Sequence, residues 1–370
     1  MLLARTLSFY LSRRFLASVL GMLLGLAGLV MMFDFIELLR RSATKPDATF
    51  ALVSEIAALR LPYIAIQILP FAVLLGGILC YWRLARSSEL IIIRAIGLSA
   101  WQFLAAPTLC AVILGMIAVA GLSPISSAML ARAERLDSTF LRTGGGPLSL
   151  NGGQLWLRQS DTGLVEHGVA ILHARNVEVR RSELTAQQVS VFRLDEQGRL
   201  LTRIEATAAT LSRGAWRLEQ ARTVRPEQRP DPETTITLPT DLTVARVQES
   251  FASPDTLSFW ALPGFIGLLE RSGFSSIRHR LHFHNLLALP VLTGTMALLS
   301  AGFSMRPTRQ GGVARMIGSG VAAGFALFVI SKITSEVGQS GSLPVILAAW
   351  APTLAGLMLT IALLLHTEDG

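Results

Sequence analysis

The chain has 370 residues, of which 51% are apolar and only 16% charged, and its mean hydropathy is +0.50. That balance excludes a soluble domain of ordinary composition and places the chain in a bilayer. The formal charge of +8 is carried almost wholly by arginine, since Lys45 and Lys332 are the only lysines, which favours anionic lipid or phosphate over nucleic acid.

Six stretches approach the ~20 apolar residues that a hydrocarbon core of ~30 Å demands. They are Phe15 to Phe35, Leu61 to Trp82, Trp101 to Leu122, Leu281 to Phe303, Gly312 to Ile333 and Leu343 to His366. The apolar run after Met1 to Arg14 is too long for a signal peptide and leads into no small-residue cleavage site, so it reads as an uncleaved first span. If six helices alternate, Arg5, Arg13 and Arg14, then Arg83, Arg86 and Arg94, then Arg306, Arg309 and Arg315 share one side, which the positive-inside rule makes cytoplasmic. Both termini are then cytoplasmic, and the polar block between the third and fourth spans lies outside.

At the outer end of the first span Asp34 and Glu37 sit three apart on one helical face, followed by Arg40, Arg41, Lys45 and Arg60. Carboxylates so near hydrocarbon pair or line a wet cavity, and pairing with Arg40 or Arg41 is one reading. The arginines either snorkel to outer headgroups or meet an anionic substrate.

Between the second and third spans, Arg83 to Ser99 predicts a short basic amphipathic helix whose Leu90, Ile91, Ile92 and Ile93 need cover. It either lies on lipid or docks in the groove of a soluble partner.

From about Ser123 to Arg280 the chain turns polar, and alternation replaces helical periodicity in Gln154–Arg158, Gly168–Leu172, Val189–Phe192, Trp216–Leu218 and Thr234–Leu238. This predicts an all-β sandwich, jelly roll or barrel, with the Pro-rich Arg225 to Pro232 as a loop. Cys80 and Cys110 fall inside spans, so no disulfide framework holds the β domain. Ser258 to Phe274 predicts a helix along the outer surface.

His279, His282 and His284 do not share a helical face, and Arg278 and Arg280 repel a cation, so basic anchoring is favoured over a metal site. Gly320 and Gly324, like Gly21 and Gly25, form small-xxx-small faces suited to close helix packing. Lys332 and Glu336, one turn apart near the outer end of the fifth span, read as an ion pair or as a polar wall around cargo. Neither lysine follows a glycine, which excludes a P-loop, and no hydrolase or metalloprotease signature occurs.

Taken together, Arg86-Ser87-Ser88-Glu89-Leu90, Arg94-Ala95 and Gly97-Leu98-Ser99, flanked by spans and followed by β segments, resemble the permease family of the lipopolysaccharide export (Lpt) system. The likeness covers nearly the whole chain. Phe33 to Arg41, Gln67 to Pro70, and Arg199 to Leu201 through Trp216 to Leu218 look closer to the G-type branch than to its F-type sister.

The resemblance implies a membrane α-helical fold of six transmembrane helices with an inserted all-β, jelly-roll-like periplasmic domain. Residues 1–122 would hold helices one to three with a coupling helix at about 83–99, residues 123–257 the β domain, and residues 258–370 the interfacial helix and helices four to six. It implies an inner-membrane, non-catalytic permease with no cofactor of its own. Its partners would be an F-type sister permease, two copies of a cytoplasmic ATPase that uses ATP, a single-span periplasmic jelly-roll protein, and lipopolysaccharide. Arg86, Glu89 and Arg94 would couple to the ATPase. Asp34, Glu37, Arg40, Arg41 and Lys332 would form the cargo-binding set, although Asp34 stands where members can carry a basic residue. A membrane-anchored docking or assembly scaffold without transport activity is the alternative.

Overall fold

The computed structural model describes residues 2–43, 45, 48–89, 99–141, 154–161, 168–180, 183–195, 199–212, 214–225, 229–240, 253–271, 275–304 and 313–368. Their helices are α1 (Leu2–Ser42), α2 (Phe50–Arg86), α3 (Ala100–Ile117), α4 (Ser123–Leu136), α5 (Leu262–Arg271), α6 (Ile277–Ser304), α7 (Val313–Gln339) and α8 (Val345–Glu368). Among the described residues, six helical stretches are long and apolar enough to cross a membrane: Thr6–Ser42, Phe50–Arg86, Trp101–Leu141, Ile277–Ser304, Ile317–Gln339 and Val345–His366. The six expected spans are therefore present. Several overrun their predicted ends, because hydropathy marks only the oily middle of a helix that continues into headgroups and water.

The third span shows how such an overrun is built. It was expected to end at Leu122, but the helix widens into a π turn over Ala118–Leu122 and continues as α4. Pro124 has no N–H to offer the carbonyl four residues back, which is that of Ala120. The indole N–H of Trp260 donates to Ala120 O at 3.1 Å, and Phe259 N donates to Ser123 Oγ at 3.1 Å. The returning segment is thus fastened at the point where proline frees a backbone acceptor.

The chain divides into two compact units. The first comprises residues 1–133, 254–263 and 277–370, and the second residues 134–253 and 264–276. In the first, α2 and α6 form the centre, with 61% of the most apolar stretch of each buried, against 17% for α1 and 11% for α7. Adjacent glycines make α2 narrow at its middle. A Cβ on Gly76 would lie 2.6 Å from Val19 Cα of α1, and one on Gly77 would lie 2.2 Å from Ser300 Oγ of α6. Of the two predicted glycine faces, that of α7 packs on α2, where a Cβ on Gly324 would lie 2.1 Å from Leu74 Cδ2. The face of α1 does not: Gly21 and Gly25 have nothing described within 4 Å.

The second unit contains one antiparallel sheet in sequential order, β1 (Gln154–Asp161), β2 (Gly168–Arg180), β3 (Glu183–Leu194), β4 (Leu200–Ser212), β5 (Ala215–Val224) and β6 (Thr234–Pro239). All five predicted strand segments lie within it. Alternation was not seen in β4, because three of its inward residues, Thr202, Ala206 and Ala209, are small or polar, leaving Ile204 and Leu211 as the apolar marks. Positive φ angles of 49 to 51° at Asn176, Gln188 and Gln220 interrupt the ladders of β2, β3 and β5, and such irregularities increase twist and bend. The sheet curls until its outer strands meet: Thr240 Oγ1 donates to Gln159 Oε1 at 2.8 Å, and Gln159 Nε2 donates to Pro239 O at 3.3 Å. Inside the curl, Trp216 is 0% exposed and packs with Leu172, Val191, Ile204, Leu211 and Leu218.

Candidate functional site

At the C-terminal end of α1, three carboxylate and guanidinium groups form one cluster. Glu37 accepts from Arg40 Nε and Nη2, each at 2.9 Å, and from Arg41 Nε at 2.9 Å, the helical i,i+3 and i,i+4 pairings. Arg40 remains 77% exposed, so donors of its five-pronged fork stay available to an anion. Glu37 orients both arginines.

Asp34 has a different partner. Its Oδ1 accepts from Arg60 Nη1 of α2 at 3.0 Å, with the two side chains only 25% and 20% exposed. This ties the outer parts of α1 and α2 together. The expected pairing of Asp34 with Arg40 or Arg41 is therefore corrected to a cross-helix pair with Arg60.

Lys332 lies on α7 at the edge of a cavity of about 480 Å³ within the first unit. Its walls include Tyr63 and Gln67 of α2, His282 and Asn285 of α6, and Ser335 of α7, while Leu289, Leu327 and Phe328 give it an apolar side. Lys332 Nζ stands 3.9 Å from Glu336 Oε1, a loose contact between exposed side chains. Lys332 is thus a contact of Glu336 that also lines the cavity. His282 Nδ1 approaches Asp255 Oδ1 at 3.3 Å in the same cavity, giving that histidine a carboxylate neighbour rather than a lone basic role.

At the opposite end of α1 and α2 lies Glu89. Tyr10 Oη donates to its Oε2 at 3.1 Å, while Arg14 Nη1 at 3.3 Å and Ser87 Oγ at 3.0 Å donate to its Oε1. Of the helix expected over 83–99, Arg83 and Arg86 belong to the last turn of α2, which Ser87 caps, Ser88 has φ 59°, and Glu89 is helical, while residues 90–98 lie outside the described residues. Arg86 stacks over Trp82 at 5.6 Å. Arg94 lies outside the described residues.

Residues 9–366 match the model of the lipopolysaccharide export system permease LptF/LptG family. The chain belongs to that family. It is 24% identical over 371 residues to the lipopolysaccharide export system permease protein LptG of Haemophilus influenzae, covering 98% of this chain and 99% of that relative. It is 25% identical over 306 residues to the protein of the same name from Escherichia coli K12, covering 80% and 81%. Membership makes the chain a multi-pass lipopolysaccharide export permease, a transporter subunit.

Apart from Lys332 on α7, the described candidate residues fall into two groups at opposite ends of α1. Asp34, Glu37, Arg40 and Arg41 gather at one end, and Glu89 with its donors at the other. Sequence reasoning missed Arg60, Tyr10 and Arg14 as members. The signal for the last two was present: an aromatic and a cation four apart on one helix face, with Arg14 lying 4.8 Å above the Tyr10 ring.

Proposed function

We propose that this chain is the G-type permease of an inner-membrane exporter that draws lipopolysaccharide from the outer leaflet and passes it to a periplasmic bridge. The observation that carries this reading is the separation of the two charged clusters along α1. Arg14 and Arg40 are 26 residues apart, about 39 Å along a helix, which matches the ~40–45 Å of a bilayer with its headgroups. Glu89 then lies at the cytoplasmic face, where an ATPase acts, and the arginines lie at the outer headgroups, where lipid phosphates are.

Both termini are cytoplasmic in this reading and the β domain is periplasmic. The low internal burial of α1 and α7 supports a sister permease of F type against those faces. Two copies of a cytoplasmic ATPase supply ATP hydrolysis, a single-span periplasmic jelly-roll partner joins the assembly, and the permease itself needs no cofactor. Arg86, Glu89 and Arg94 form the coupling side. Arg40 and Arg41, oriented by Glu37, receive phosphate, with Lys332 as a second cation beside an apolar cavity. Asp34 acts through Arg60 rather than on cargo.

The test is a complex carrying Glu89→Lys, measured for ATP hydrolysis and for lipopolysaccharide release from proteoliposomes. Hydrolysis without release is expected, and parent-like release refutes the coupling role. In the same assay Arg40→Glu with Arg41→Glu reduces photocrosslinking to cargo, and unchanged crosslinking assigns both arginines to headgroup anchoring.

A further inference from the structure

We propose that the cavity between α2, α6 and α7 is a lipid site separate from the cargo arginines, taking one acyl chain of a glycerophospholipid with its zwitterionic head at the outer mouth. The proposal goes beyond the export reading and stands on the cavity alone.

The lining is graded along three helices at once. On α6 it steps by three or four residues, from Arg278, His282 and Asn285 to Leu289, Leu292 and Met296. Such steps keep to one helical face, here polar in its first part and apolar in the rest. α2 repeats the change between Gln67 and Phe71, and α7, running the other way, between Lys332 and Phe328. Three faces that turn from polar to apolar in the same direction build an amphipathic hole rather than a packing fault. From Asn285 to Met296 there are eleven residues, about 16 Å along a helix, or roughly half of a ~30 Å hydrocarbon core. The apolar part is thus one leaflet deep.

Size and charge choose the occupant. A methylene takes about the room of a water, ~30 Å³, so a cavity of about 480 Å³ holds roughly 16 such groups, which is one fatty chain. The several chains and sugars of a lipopolysaccharide exceed it. Among the described residues, α1, which carries Arg40 and Arg41, contributes nothing to the lining. The mouth carries both signs of charge. Arg278 and Lys332 supply the positive side, while Asp255, 3.3 Å from His282 Nδ1, and Glu336, 3.9 Å from Lys332, supply the negative. A phosphoethanolamine head matches that pattern, its phosphate toward the cations and its ammonium toward the carboxylates. Gln67, Phe328 and Lys332 are exposed, so the cavity opens sideways between α2 and α7 and a chain enters without leaving its leaflet.

The experiment places the complete complex in nanodiscs whose phosphatidylethanolamine carries a photoreactive group at the end of one acyl chain, and labelled residues are mapped. Label is expected at Leu292, Met296 and Leu327 in the cavity, and at Met358 and Leu359 of α8, which are 73% and 72% exposed and report lipid at the surface. Leu292→Trp fills the cavity and lowers the remaining cavity label roughly fivefold or more, with the α8 label unchanged. Arg278→Gln with Lys332→Gln lowers it severalfold. Cavity and α8 labels that respond alike to Leu292→Trp mean surface lipid only and overturn the site. Lipopolysaccharide that displaces the cavity label at equal mole fraction assigns the cavity to cargo and overturns it as well. Equal labelling by a phosphatidylglycerol probe overturns the zwitterionic head. Should Leu292→Trp fail to assemble, Met296→Phe is measured in the same way, and the same outcomes decide. Labelling needs neither ATP nor release, so its failure leaves the export reading standing, and parent-like release by Glu89→Lys leaves the lipid site standing.

Discussion

Gly76→Ala perturbs the narrow point of α2 with a single methyl group, and its effect follows from the contact distances. The new Cβ would stand 2.6 Å from Val19 Cα, 2.8 Å from Val19 N and 3.0 Å from the Ser18 carbonyl carbon. Ordinary carbon contacts lie at ~3.5–4.0 Å, so α1 must retreat by about 1 Å. All three obstacles are backbone atoms, which no rotamer change can move aside. Overpacking of this kind costs ~1–3 kcal/mol, but alanine also gains up to ~1 kcal/mol of helix propensity, and the single variant would confound the two. Gly25→Ala resolves them, because it brings the same propensity at a position with nothing described within 4 Å. The difference between the variants is therefore ~1–3 kcal/mol, Gly76→Ala being the less stable. Reversible unfolding of the isolated permease in mixed micelles on detergent titration measures it. Equal stabilities within ~0.5 kcal/mol would refute close contact at Val19.

Arg60→Ala leaves Asp34 charged at the edge of hydrocarbon and lowers stability by ~1–2 kcal/mol in the same titration. Adding Asp34→Asn recovers at least half of that loss, whereas an additive loss speaks against a direct pair. Trp216→Ala empties the middle of the β core and costs ~3–5 kcal/mol, read as faster limited proteolysis between Gln154 and Thr240, and parent-like resistance contradicts the packing. Lys332→Glu lowers photocrosslinking of lipopolysaccharide to α7 severalfold with ATPase assembly intact, and unchanged yield reduces Lys332 to its contact with Glu336.

What could be read from residues alone follows from how strongly each physical signal repeats. Six apolar runs sum ~20 residues of burial each and survive any local exception, so the spans were legible. Their ends were not, because past Trp82 or Leu122 the helix is held by backbone bonds and caps rather than oiliness. β4 escaped notice since its inward positions carry Thr202, Ala206 and Ala209, which bury well and score poorly. Glu37 with Arg40 and Arg41 was legible as a helical spacing. Asp34 with Arg60, and Glu89 with Tyr10 and Arg14, join residues 26, 79 and 75 positions apart, and periodicity holds no information about which two helices lie side by side. Gly76 illustrates the same limit: its neighbour is a backbone.

The contact of Gln159 with Pro239 and Thr240 gives the β domain a seam. Every other boundary between neighbouring strands is a ladder of backbone bonds, whereas here two side-chain bonds hold the first strand to the end of the last. Each of these two bonds contributes about 0.5–1.5 kcal/mol, and they close the sheet over its apolar core where no backbone ladder does.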